Sequence, residues 1–90
     1  MDFEWDPDKA ATNQEKHGVS FDEAATVFGD PLSLTIPDPT HDLAESRFIL
    51  LGESYSGRLL VVVHVDRVER IRIISARPAT RRERYSYEHE

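Results

Sequence analysis

The stretch from Ile71 to Tyr87 carries five arginines, one carboxylate and two tyrosines. Arginine grips phosphate through a planar fork of donors, and an aromatic ring can stack an unpaired base. Cleaving RNA without a metal needs a base on the 2′-hydroxyl, a cation for the phosphorane charge and an acid for the leaving 5′-oxygen. Arginine or lysine fits the second role, and histidine, glutamate or tyrosine fits the others. Along a strand, Arg70, Arg72, Ile74 and Ala76 share one face; on a following helix, Thr80, Glu83, Arg84 and Tyr87 share another. Arg77 stands at the junction. A strand end and a helix start together are therefore expected to gather Arg77, Glu83, Arg84 and Tyr87 around one phosphate.

Other chemistries find less support. His17, His41, His64 and His89 include no pair at i, i+3 or i+4 spacing, so no metal site is expected. The chain has no cysteine, which excludes a disulfide scaffold, a zinc-thiolate site and a cysteine nucleophile. Gly18, Gly29, Gly52 and Gly57 are isolated, unlike the clustered glycines of a nucleotide loop. No Gly-x-Ser-x-Gly elbow occurs. No cofactor is expected. A bland account of the same residues has equal standing. Helix arginines usually form a solvated face. A capping box explains Glu83, and the dipole of a helix C-terminus explains His17. His64 suits a sheet core, and Arg47 and Arg58 guard strand edges.

The elements that must position these residues follow from punctuation and period. Asp6-Pro7 opens a helix running to about His17, with Gly18 as its left-handed stop. Ser20-Phe21-Asp22-Glu23 reads as a capping box, with Glu23 reaching back to the Ser20 amide. It starts a short helix from Phe21 to Phe28 whose apolar face is Phe21, Ala24, Ala25 and Phe28. Two helices joined so tightly predict a helical hairpin.

After Pro31 the period becomes two. Strands are expected over Leu32 to Ile36, Arg47 to Glu53, Arg58 to Asp66 and Arg70 to Ala76, with a polar loop from Pro37 to Ala44. Close spacing predicts an antiparallel meander. The strand from Arg58 is apolar on both faces apart from His64 and should lie centrally. Phe3 to Trp5 offers a short extra edge strand. Thr80-x-x-Glu83 is a second capping box and opens a final helix to about Tyr87. The fold class is thus α+β: an N-terminal helical hairpin, a four-stranded antiparallel sheet and a C-terminal helix in one domain over residues 1–90.

Charge is unevenly spread. Net charge is −6. Residues 1–45 hold 2 cations and 11 acids, residues 46–90 hold 9 cations and 6 acids, and every arginine lies in the second half. An acidic whole argues against nonspecific adhesion to nucleic acid, while a local arginine surface remains available. The longest apolar run, Leu59 to Val63, is far short of the ~20 residues of a membrane span, and the acidic N-terminus does not read as a signal peptide.

Several segments in order resemble the BrnT-type toxins of bacterial type II toxin–antitoxin systems. They are Phe3-Glu4-Trp5-Asp6, Lys16-His17-Gly18-Val19-Ser20-Phe21, Val27-Phe28-Gly29-Asp30-Pro31, Glu45-Ser46-Arg47, Leu51-Gly52-Glu53-Ser54, Gly57 to Val63, and Arg72-Ile73-Ile74-Ser75-Ala76-Arg77 through Glu83-Arg84 and Tyr87. The sequence departs at Pro78, where a basic residue is common, and in its acidic N-terminal half. The resemblance implies a RelE-like α+β fold and a cytoplasmic, metal-independent ribonuclease that blocks translation and arrests growth. It also implies neutralisation by a BrnA-type antitoxin, whose ribbon-helix-helix part binds the operator. An antitoxin dimer would join two toxins in a heterotetramer that represses its own operon. Carried over by position, His17, Arg47, Arg77 and Glu83 are the expected catalytic residues. Arg77 and Arg47 would meet phosphate charge, and His17 or Glu83 would move protons. Lys16, Arg72, Arg84 and Tyr87 are the expected RNA-binding residues. The acidic half suggests a surface for a basic antitoxin segment. The competing reading is a non-catalytic interaction module for an antitoxin or DNA-binding partner.

Overall fold

The computed structural model describes residues 1–40 and 46–90. The end of the expected Pro37–Ala44 loop, with His41 and the Glu45 of the resemblance, lies outside them. The elements are β1 (Asp2–Glu4), α1 (Pro7–His17), α2 (Phe21–Thr26) with a tighter turn over Val27–Gly29, β2 (Leu34–Pro37), β3 (Arg47–Glu53), β4 (Leu59–Arg67), β5 (Arg70–Pro78) and α3 (Arg81–Glu88).

α1 begins as its sequence dictates. Asp6 Oδ1 accepts from the Asp8 amide at 2.8 Å, Pro7 takes the first helical position, and Gly18 ends the helix at φ 69°. α2 departs from expectation. The Ser20 hydroxyl accepts from the Glu23 amide at 3.0 Å, but the Glu23 carboxylate does not return to the Ser20 amide. It is taken instead by the β3–β4 turn. Glu23 Oε2 accepts from Ser54 Oγ at 2.7 Å, Ser56 Oγ at 2.6 Å and Arg58 Nε at 3.0 Å, and Oε1 accepts from Arg58 Nη2 at 2.6 Å. A nearly buried carboxylate gains more from a guanidinium fork and two hydroxyls than from one amide. The box at α3 is complete, with Thr80 and Glu83 bonded reciprocally.

The sheet has five strands in the order β1-β5-β4-β3-β2. β2 to β5 form the expected antiparallel meander, with β4 at its centre. β1 adds a fifth strand, and it runs parallel to β5, with Phe3 opposite Ile71. The sheet is therefore mixed rather than purely antiparallel. The cause lies in the core: Phe3 packs its ring 5.1 Å from Phe28 on the helix side, holding the first residues against β5.

One face of the sheet supplies Leu50, Leu60, Val62, Ile73 and Ala76 to a core closed by Val19, Phe21, Ala24 and Val27. α1 and α2 each lie on β5, so the expected helical hairpin is corrected to two consecutive helices seated separately on the sheet. The free edge of β5 beyond β1 is covered by α1. The buried Asn13 side chain donates to the Ala76 carbonyl at 2.9 Å and accepts from the Ala76 amide at 3.1 Å, and it also donates to the Val19 carbonyl at 3.0 Å.

Candidate active site

Opposite α1 and α2, strand register sets side chains in rows across an open face. Leu34, Leu51, Val61 and Arg77 form one row, and Ile36, Ile49, Val63 and Ser75 the next. Arg47, Val65, Arg72 and Glu4 form the third, and Arg67, Arg70 and Asp2 the last. An apolar centre is thus flanked by arginines at both ends.

Arg72 and Arg77 are an odd number of residues apart, and a regular strand would put them on opposite faces. The register shifts between Val63 and His64, which pair with Ser75 and Ile73 and leave Ile74 as an extra residue. This bulge reverses the parity of β5. Ala76 turns into the core, and Ser75 and Arg77 join Arg70 and Arg72 on the open face. The expectation that Arg70, Arg72, Ile74 and Ala76 share a face therefore fails after Ile73.

Arg77 is held in a bidentate pair. Its Nη1 and Nη2 donate to Glu83 Oε1 and Oε2 at 2.9 and 2.8 Å, and Nη1 also reaches the Pro78 carbonyl at 3.2 Å. The Arg77 bonds carry the Glu83 pKa down to about 2 against desolvation, with the Thr80 amide adding to the effect. Glu83 raises the Arg77 pKa in return. Glu83 is therefore a fixed anion that orients a guanidinium; it is a weak base and has no proton to give.

The other members of the expected ring do not join this pair. Arg84 lies 3.8 Å from Glu88 one turn along α3. The half-buried Tyr87 donates its hydroxyl to Asp30 Oδ2 at 2.6 Å, an atom that also accepts from the Glu53 amide at 2.8 Å. That bond pushes the Tyr87 pKa up to about 12. Desolvation raises the Asp30 pKa, but the Tyr87 hydroxyl and two amides bring it below its ordinary value. α3 is thus fastened near its start by Glu83 and near its end by Tyr87. It overhangs a groove of about 290 Å³ walled by Leu34, Ile49, Leu51 and Val61.

Lys16 and His17 lie together in the last turn of α1. They line a groove of about 350 Å³ whose opposite wall is Ile74 and Ser75. Ser75 belongs both to this groove and to the open face, so the two meet there. The structure thus brings Arg47, Arg72 and the Arg77–Glu83 pair onto one face, with Lys16 and His17 at its β5 border. Among the described residues, no group of three histidine, aspartate or glutamate side chains is placed to hold a metal ion, and no helix is long and apolar enough to cross a membrane.

Sequence reasoning missed Asn13, Asp30 and the Glu4–Arg67–Arg70 group. Asn13 left a signal: with Ala10 and His17 it falls at i, i+3, i+7 spacing, which puts an amide on the packing face of α1. Asp30 left only its local turn with the Leu32 amide, since its partners Glu53 and Tyr87 are remote in sequence.

A family model described as the ribonuclease toxin BrnT of type II toxin–antitoxin systems matches residues 5–83. The 1.1 Å crystal structure of the Brucella abortus ribonuclease toxin BrnT superposes with a TM-score of 0.71 at 23% identity, covering 90% of this chain and 99% of that one. That likeness shows the same α+β fold. No curated protein sequence matches the chain.

Proposed function

The chain belongs to the BrnT family of type II ribonuclease toxins, and from that premise we propose that it is a metal-independent endoribonuclease acting on the open face of its sheet. The observation that carries this reading is the Arg77 guanidinium, held by Glu83 on the same face as Arg47 and Arg72. A preorganised cation aimed at developing phosphorane charge is usually the largest single contribution to such a cleavage. Arg77 and Arg47 meet that charge. His17, beside Ser75 at the border of the face, moves protons. Lys16, Arg72 and Arg84 hold the RNA backbone, and the Tyr87 ring supplies an apolar surface for a base while its hydroxyl stays with Asp30.

In this reading the protein cuts RNA in the cytoplasm, stops translation and arrests growth. A BrnA-type antitoxin neutralises it. The antitoxin dimer joins two toxins in a heterotetramer, and the complex represses its own operon, contacting operator DNA only through the antitoxin. The groove walled by Leu34, Ile49, Leu51 and Val61 favours one second reading, a partner-binding module without catalysis.

The test is induced expression of the wild type and Arg77→Ala in a bacterium, followed by growth and bulk RNA integrity, with circular dichroism to show that the variant folds. Arrest with RNA decay for the wild type alone supports the ribonuclease. Intact RNA and unimpaired growth with folded wild-type protein would leave the binding module.

A further inference from the structure

Two arginines of the open face, Arg67 and Arg70, take no part in the reading above. They face each other across the β4–β5 ladder at the end of the sheet farthest from Arg77. Arg72 lies two pairs further in, in the next row of this face, and Glu4 of β1 stands opposite it. The three guanidiniums converge on this carboxylate. Arg72 Nη1 lies 3.3 Å and Arg67 Nη1 3.7 Å from Glu4 Oε2, and Arg70 Nη1 lies 3.4 Å from Oε1.

These contacts are long for charge-assisted bonds, which run at ~2.7–2.9 Å, and the Arg77–Glu83 pair achieves that range in the same molecule. One carboxylate has two oxygens for three forks and cannot engage all three bidentately, and the guanidinium fork matches phosphate as it matches carboxylate. The Arg67 and Arg70 side chains are 56% and 62% exposed, so their donors are open to an incoming anion. Asp2 and Glu69 stand nearby and, among the described residues, form no ion pair with the three.

We propose that Arg67, Arg70 and Arg72 form a subsite for a backbone phosphate of single-stranded RNA, and that Glu4 is a resident carboxylate occupying that phosphate's place. The subsite rests on the ribonuclease reading and extends it along the face. The β4 partners of Arg72 and Arg77, Val65 and Val61, are four positions apart, about 13 Å, and Arg47 belongs to the row of Arg72. A single strand lying over the apolar centre meets cations at both ends of its path. That continuity favours RNA over an acidic protein segment.

Glu4 gives the proposal a sign that a purely structural cluster lacks. Removing its charge frees the arginines, so Glu4→Gln binds RNA more tightly. The experiment is anisotropy with a labelled single-stranded RNA bearing 2′-O-methyl groups, which cannot be cut through the 2′-oxygen, titrated at several salt concentrations. The double variant Arg67→Ala/Arg70→Ala is expected to weaken binding about fivefold. Its slope of log affinity against log salt should fall in magnitude by about 0.7, the value for one lost phosphate contact on a single strand. An unchanged slope in the double variant overturns the subsite whatever Glu4→Gln does, and so does looser binding by a folded Glu4→Gln. A loss seen with polyglutamate and not with RNA overturns it in favour of an acidic protein partner. Wild type that shows the expected slope yet leaves ordinary RNA uncut would remove the ribonuclease reading and leave the subsite standing.

Discussion

Asn13 and Ala76 are joined as two strands would be: the side-chain amide of one gives and takes a hydrogen bond with the main chain of the other, at 2.9 and 3.1 Å. A helix thereby covers a sheet edge that would otherwise stand open beyond β1. The same amide holds the Val19 carbonyl, so the turn after His17 is tied to the residue before Arg77. Asn13→Ala strands three buried backbone groups and should cost about 2–3 kcal/mol. Urea denaturation is the check: the midpoint falls and the m-value stays the same.

Glu83 and Arg77 make separable contributions. Arg77→Ala removes the cation and should lower cleavage by about 10²–10³-fold. Glu83→Gln leaves the cation but loosens its fork, a loss of about tenfold. Because Glu83 is already a fixed anion, the shape of the pH–rate profile should not change in Glu83→Gln. A lost limb of that profile would make Glu83 a proton carrier after all.

Acid should unlock the α2 clamp. Arg58, with Ser56 and Ser54, holds the Glu23 pKa at about 2 against an ordinary 4.5, despite desolvation. A carboxylate whose pKa is depressed by folding stabilises the native state above its unfolded value, and that stabilisation fades as pH falls from about 4.5 towards 2. Glu83 adds a second contribution over the same window. Glu23→Gln should cost about 2 kcal/mol at neutral pH, since the pair is only partly buried. The penalty should shrink below pH 4.5. Denaturation midpoints at a series of pH values measure both.

His64 faces the core between Phe28, 4.7 Å away by ring centroid, and Phe48 at 5.9 Å. Desolvation lowers its pKa, opposed by the Val62 carbonyl and Asp66. The neutral ring is the one the fold accepts, so its contribution is present above the ordinary 6.5 and is lost as pH falls below it. His64→Leu should flatten stability just below that pH. An equally steep decline in the variant would assign it to another group.

Much of the architecture was readable because its signals are local. Asp6-Pro7, Gly18, Thr80-x-x-Glu83 and the strand of Arg47 to Glu53 before its Gly57 turn each act within a few residues, and all four stand where the pattern places them. The losses come from competition over long range. Glu23 had a plausible local partner in the Ser20 amide and found a stronger one in Arg58. Tyr87 was offered to a phosphate ring and was taken by Asp30. The Ile74 bulge has no residue signature in a run of alternating apolar side chains, yet it decides which face Arg77 joins. For the candidate site, the strand end and the capping box bring Arg77 and Glu83 together locally, but only register puts Arg47, Arg67, Arg70 and Arg72 on a common surface.

The parallel pairing of β1 with β5 also sets an order of events during synthesis. Asp2–Glu4 is made well before β5 and has no strand to join until Arg70–Arg72 follows. At ~5–20 residues per second that delay is roughly 3–14 s. Throughout it, the Glu4 carboxylate has none of its three arginines, Asn13 has no Ala76, and Arg77 does not yet exist. The nascent chain therefore lacks the β5 arginines of the open face until Arg70–Pro78 has been made, although β2, β3 and β4 can already pair.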